Sequence, residues 1–97
     1  MSLRDTPRDN SGGLMARGNI VGISRRNGLF VVRDESDQLV VFELLDSVDL
    51  EIDDEVIGDL YVLGGHELRH VRSGETMAVY GQSGVCTLAH ARAVLGG

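Results

Sequence analysis

The chain has no tryptophan, no lysine, one cysteine and one proline, and its only aromatics are two phenylalanines and two tyrosines. Each scarcity excludes something. With Cys86 alone, no intramolecular disulfide can staple the fold. With so few aromatics, any core has to be built from Val, Ile and Leu. No apolar run approaches the ~20 residues a membrane-spanning helix needs. The first residues lack the basic-then-apolar layout of a secretory signal, so a cytoplasmic protein is expected. Without lysine there is no phosphate loop, and Gly12-Gly13 and Gly64-Gly65 are not followed by a helical pattern either.

What is present is acidic and globular. The 97 residues carry 15 Asp and Glu against nine arginines, a net charge of −6. That length supports one core rather than two. Eight carboxylates fall between Glu43 and Asp59 with no basic residue among them. Such a run repels phosphate backbones and opposes general DNA binding. It also lacks the Asp-x-Asp-x-Asp-Gly spacing of a calcium loop. It reads as a solvated acidic connection.

Residues 1–16, rich in charge, Gly and Ser and holding the only proline, read as a disordered tail. Residues 17–97 form the domain. Short apolar segments alternate with turn residues from Gly18 to about Tyr80. Asn19 to Ser24, Leu29 to Arg33 and Gln38 to Leu44 read as a three-strand meander, with Asn27-Gly28 predicting a type I′ hairpin turn. Residues 45–54 connect it to a second meander: Glu55 to Leu63, a Gly64-Gly65 turn, His66 to Arg72, a Ser73-Gly74 turn, and Glu75 to Tyr80. The second and third strands are apolar on both faces, as in a barrel covered outside by a helix or a partner. Gly58 suits a bulge or barrel corner. The tail then changes period. Leu88, Ala91, Val94 and Leu95 share one face of a helix expected over about 85–95, capped by Ser83 or Thr87 and stopped at Gly96. That helix is expected to plug or cover one open end of the barrel. The fold class is mainly β: a five- or six-stranded antiparallel barrel with one C-terminal helix.

Gly18-x-Ile20-x-x-Ile23, then Gly28-Leu29-Phe30-Val31-Val32, then Leu50-x-Ile52-x-Asp54-x-Val56-x-Gly58 resembles the OB-fold family, in particular its S1-like and cold-shock-like barrels, over residues 18–80. The resemblance implies a small barrel, and for this family a strand-two and strand-three face that takes oligonucleotides. Two positions depart from the pattern. Asp53 stands where the family has the glycine of Gly-Asp, and Phe30 is the only aromatic on the second strand.

The chemistry-bearing residues do not assemble a catalytic site in sequence. Cys86 and His90 stand at i, i+4 on the expected helix, in the manner of zinc ligands. His66 and His70, four strand residues apart, lie ~13 Å from each other and cannot share one ion. No metal site and no cofactor is expected. Gly81-Gln82-Ser83-Gly84 is not a nucleophile elbow, and nothing in sequence supplies His and Asp partners for a serine. The one basic cluster is Arg17, Arg25, Arg26 and Arg33, with Phe30 and Phe42 nearby as candidate stacking rings. These six are the candidate binding residues.

Two functions follow from these features. The first is a non-catalytic module that binds another protein through a barrel face or sheet edge, with self-association among the options. The alternative is an OB-type binder of single-stranded nucleic acid, which the net charge disfavours. The direction of Phe30 and Phe42 separates the two: rings facing solvent beside Arg25 and Arg33 favour nucleic acid, and buried rings favour protein.

Overall fold

The computed structural model describes residues 16–96. Six strands lie in the order expected: β1 (Ala16–Ser24), β2 (Leu29–Asp34), β3 (Leu39–Leu44), β4 (Glu55–Gly58), β5 (Gly64–His70) and β6 (Glu75–Gly81), followed by helix α1 (Leu88–Gly96). All neighbouring strands are antiparallel, and the sheet closes on itself as β1-β2-β3-β6-β5-β4. Every strand therefore has a neighbour on each side. The sheet-edge binding expected from sequence has no edge strand to use among the described residues. The tail expected over residues 1–16 lies outside the described residues, save Ala16, which opens β1.

Alternation fills the inside. Ile20, Phe30, Val32, Val40, Phe42, Val56, Leu68, Met77 and Val79 point inward and are buried. Phe30 and Phe42 are directly opposed in register, their rings stacked with centroids 5.5 Å apart. The two ends are closed by chain between strands. Leu50, from the acidic connection, closes the end at the β1–β2 hairpin, and Leu60 closes the other. The helix closes neither, contrary to the sequence expectation. It lies on the outer face of β1–β3, over Val31 and Val41. That is why β2 and β3 are apolar on both faces.

A bulge makes room for the helix. Ile20 pairs with Val32 and Gly22 with Val31, leaving Val21 as the extra residue. The inserted residue turns Gly22 outward with Val31, toward α1. A Cβ on Gly22 would collide with Leu95 Cδ1. Glycine at this position is what lets Leu95 seat on the barrel wall.

Three local expectations need correction. The β1–β2 turn is a four-residue loop, Arg25–Gly28, since Ser24 pairs with Leu29. Only Gly28 has positive φ (70°), so it is not type I′, which requires positive φ at Asn27 as well. The fourth strand stops at Gly58, and Gly64-Gly65 opens β5 instead of forming a turn. Residues 59–63 are held as a loop because Tyr61 is tied to Asp34 across the barrel end. At the helix, Thr87 is the cap: its Oγ1 accepts the His90 N–H at 3.1 Å. Ser83 Oγ is buried with no hydrogen-bond partner among the described residues.

Candidate functional site

The six candidate binding residues do not form one platform. Phe30 and Phe42 are both wholly buried, and Phe42 also meets His66 edge-on at 5.8 Å. Neither ring offers a face to a base. Arg25 and Arg26 sit on the β1–β2 loop, whereas Arg17 and Arg33 lie at the far end of the same two strands. The pairs are on the order of 25 Å apart along β1. Arg17 pairs with Glu55 at 3.0 Å, Arg33 with Asp37 at 3.8 Å, and Arg25 donates to Leu50 O at 2.9 Å while 4.0 Å from Asp49. Most of the positive charge thus already faces a carboxylate or carbonyl.

Two cavities lined by described residues open on the surface. The smaller, ≈150 Å³, lies at the β1–β2 end between Ile23, Ser24, Gly28, Leu44 and Val48, over Phe30 and Leu50. The larger is a groove of ≈300 Å³ between α1 and the outer face of β1–β3. Its walls are Val21, Val31, Leu39, Leu88, Ala91 and Leu95, and Arg33 and Arg92 stand at its rim. Leu88 remains 56% exposed there. The nine-residue helix seals Val31 and Val41 but leaves Val21 and Leu39 only half-buried beside it.

The densest polar chemistry is elsewhere. Asp54, placed just before β4, is buried, and four donors converge on its carboxylate. Arg72 Nε lies 2.9 Å from Oδ1; on Oδ2 converge an Arg72 terminal nitrogen at 3.0 Å, His70 Nε2 at 2.7 Å and the Glu51 N–H at 2.9 Å. The paired hydrogen bonds from Arg72 outweigh the opposing cost of burial, and with help from His70 and Glu51 they hold the Asp54 carboxyl down at about 2. As an anion it is an acceptor only, so the hydrogen bond between the two is donated by His70 Nε2. Ser73 Oγ lies 2.7 Å from Nδ1 on the other side of the ring. The order hydroxyl–imidazole–carboxylate is that of a serine relay with the two ring nitrogens exchanged. Its surroundings are those of a brace. Ser73 Oγ also accepts the Glu75 N–H at 3.2 Å, which fixes the β5–β6 turn, and His70 is sealed in the barrel wall. The carboxylate that sequence assigned to a solvated connection is in fact the hub of a network joining that connection to β5 and its turn.

A second buried carboxylate closes the other end. Asp34 Oδ1 accepts the Ser36 and Gln38 N–H groups, and Oδ2 accepts the Tyr61 hydroxyl at 2.5 Å. Burial works to raise the Asp34 pKa, but the bonds from Tyr61, Gln38 and Ser36 prevail and lower it. The same bond, with burial, pushes the Tyr61 phenol up to about 12.

Cys86 precedes α1 and bridges to Leu39 instead of sharing a helix turn with His90. Both ring nitrogens of His66 face carbonyl oxygens, Gly64 O at 3.1 Å and Asp59 O at 2.9 Å. Among the described residues no three His, Cys, Asp or Glu side chains converge as a metal site would require.

The Asp54 network and the α1 groove were both missed in sequence. One signal was available: His70 is in phase with Leu68 on β5, so strict alternation places it inside. Compared with known protein families, curated proteins and solved structures, the chain matches none.

Proposed function

We propose that this protein is a non-catalytic interaction module that binds another protein through an outer face of the barrel. The observation that carries this reading is the groove between α1 and β1–β3. It is apolar, it has two arginines at its rim, and the helix that covers this part of the sheet leaves Leu88 in solvent. Contiguous apolar surface framed by polar groups is characteristic of protein-contact sites. The buried phenylalanines point the same way, since an aromatic inside the core cannot serve as a stacking platform. The Asp54–His70–Ser73 chain fits this non-catalytic reading as a brace. A cytoplasmic setting belongs to the same proposal.

The S1-like or cold-shock-like resemblance supports the alternative, an OB-type binder of single-stranded nucleic acid. Asp53, which stands where that family has a glycine, takes φ 76°, a conformation that glycine adopts without strain. The separation of the arginine pairs keeps this reading second.

Affinity capture from a cell lysate, with and without nuclease, decides between them. The protein reading expects a polypeptide retained after nuclease and lost on Leu88→Asp. Capture that disappears with nuclease favours the alternative.

A further inference from the structure

We propose that two copies of this chain associate by each inserting its Glu51–Ile52–Asp53 tip into the groove between α1 and β1–β3 of the other. This rests on the protein-binding reading and names the partner as a second copy.

The tip is an unusual object. Ile52 is 53% exposed on a turn, with exposed carboxylates on both sides of it. An aliphatic side chain in that position is not there for the barrel core. Nor is the turn loose. The Asp54 N–H donates to Glu51 O at 3.1 Å, and the Glu51 N–H donates to Asp54 Oδ2 at 2.9 Å. Asp53 is held at φ 76°. The Asp53 N–H donates to Ile20 O at 2.7 Å, fastening the tip to β1. The network of buried Asp54 and His70 with half-exposed Arg72 thus holds rigid a turn whose outermost apolar group is in water. A preformed tip loses little conformational entropy on binding.

The groove is its chemical complement. Leu88, Leu95, Val21 and Leu39 offer an apolar slot, and Arg33 and Arg92 flank it. The carboxylates of Glu51 and Asp53 flank Ile52 in the same sense, Glu51 in an exposed ion pair with Arg72 at 3.8 Å. Arg33 is held only by an exposed ion pair to Asp37 at 3.8 Å, and Arg92 has no ion pair among the described residues. On a chain of net charge −6, a positive rim around an apolar slot selects an acidic, aliphatic occupant, and the chain carries such a segment itself. The tip is bonded to Ile20 and the groove is lined by Val21, so both surfaces flank the β1 bulge. Adjacent complementary surfaces of this kind allow a two-fold pair to make both contacts at once, which closes the dimer.

The test is sedimentation and light scattering of the full chain at rising concentration. The wild type is expected to dimerise with a dissociation constant of about 10–100 μM, as befits a small interface. The affinity is expected to fall several-fold between ~50 and ~300 mM salt, because the flanking charges are exposed. Ile52→Asp and Arg92→Glu, both at exposed positions, should each be monomeric with an unchanged melting midpoint. Mixed together they should form a 1:1 complex weaker than the wild-type dimer, since one tip and one groove remain intact. A wild type monomeric to ~1 mM overturns the proposal, as does an Ile52→Asp variant that dimerises like the wild type, or a mixture that stays monomeric. A monomeric wild type that still captures a nuclease-resistant protein partner overturns the exchange alone. One that captures none overturns the protein-binding reading with it.

Discussion

His70 Nε2 lies 2.7 Å from Asp54 Oδ2, and both side chains are buried. The contact joins the end of the acidic connection to the last residue of β5, sixteen positions later. Removing one member leaves the other buried without its hydrogen-bond partner, the costly case for a buried polar group. Asp54→Asn and His70→Phe are each expected to lower stability by about 2–4 kcal/mol. Ser73→Ala deletes the bond to His70 Nδ1 and the bond from the Glu75 N–H, but it leaves no charge buried and should cost only about 0.5–1.5 kcal/mol. Urea unfolding of the three variants checks the ranking. A Ser73→Ala loss as large as that of Asp54→Asn would contradict the placement of Asp54 as the hub.

Acid and alkali should each remove a distinct support. The Asp54 carboxyl sits at about 2 when folded against a usual 3.8. The stabilisation it lends is full above 3.8 and drains away as pH falls toward about 2. The Tyr61 phenol sits at about 12 against a usual 10.0. Its contribution is full below 10.0 and is lost as pH rises through about 12. Melting midpoints across pH should therefore fall off at both extremes. Asp54→Asn should flatten the acid limb and Tyr61→Phe the alkaline one. A variant that keeps the wild-type slope on its own limb would refute the assignment.

The helix can be detached without breaking the barrel. Gly22→Val puts a side chain where Leu95 now sits. Overpacking of this kind costs about 1–3 kcal/mol. The expected result is a lowered melting midpoint with faster proteolysis after about residue 82, while strand signals in far-UV circular dichroism persist. Leu95→Ala in the same chain should recover part of the loss. No recovery would mean that α1 is not seated on Gly22.

Oligonucleotide binding should be weak. Counterion release needs several cations along one groove. Here Arg17, Arg25 and Arg33 already face carboxylates, and Phe30 and Phe42 are in the core. A labelled ~12-mer at ~150 mM salt should show a dissociation constant above ~10 μM by fluorescence anisotropy. Sub-micromolar binding that weakens with Arg25→Ala and Arg26→Ala would make nucleic acid the leading reading.

Much of the architecture was legible from local pattern. Period-two segments with Gly- and Asp-bearing turns located all six strands, and the two-sided apolar runs at Val31-Val32 and Val40-Val41 announced an outer cover. Local pattern was also enough to find the helix, because Leu88, Ala91, Val94 and Leu95 keep helical spacing. Boundaries were less secure where a long-range contact overrode propensity. Leu60, Tyr61, Val62 and Leu63 have strand-like character, yet the Tyr61–Asp34 bond and the burial of Leu60 bend them over the barrel end.

What the sequence determined by itself is what depends on neighbours within a few residues: strand phase, helix face, the need for glycine at position 28, and a net charge unsuited to phosphate. Tertiary structure alone decided which face of the helix-covered sheet stays open, since that depends on where α1 lands relative to Gly22. It alone turned Phe30 and Phe42 into core, because alternation says that a residue alternates but not which side the barrel closes on. And it alone brought Asp54 to His70 and Arg72. A network around a buried carboxylate is set by the register of β4 against β5, and no local periodicity encodes that register.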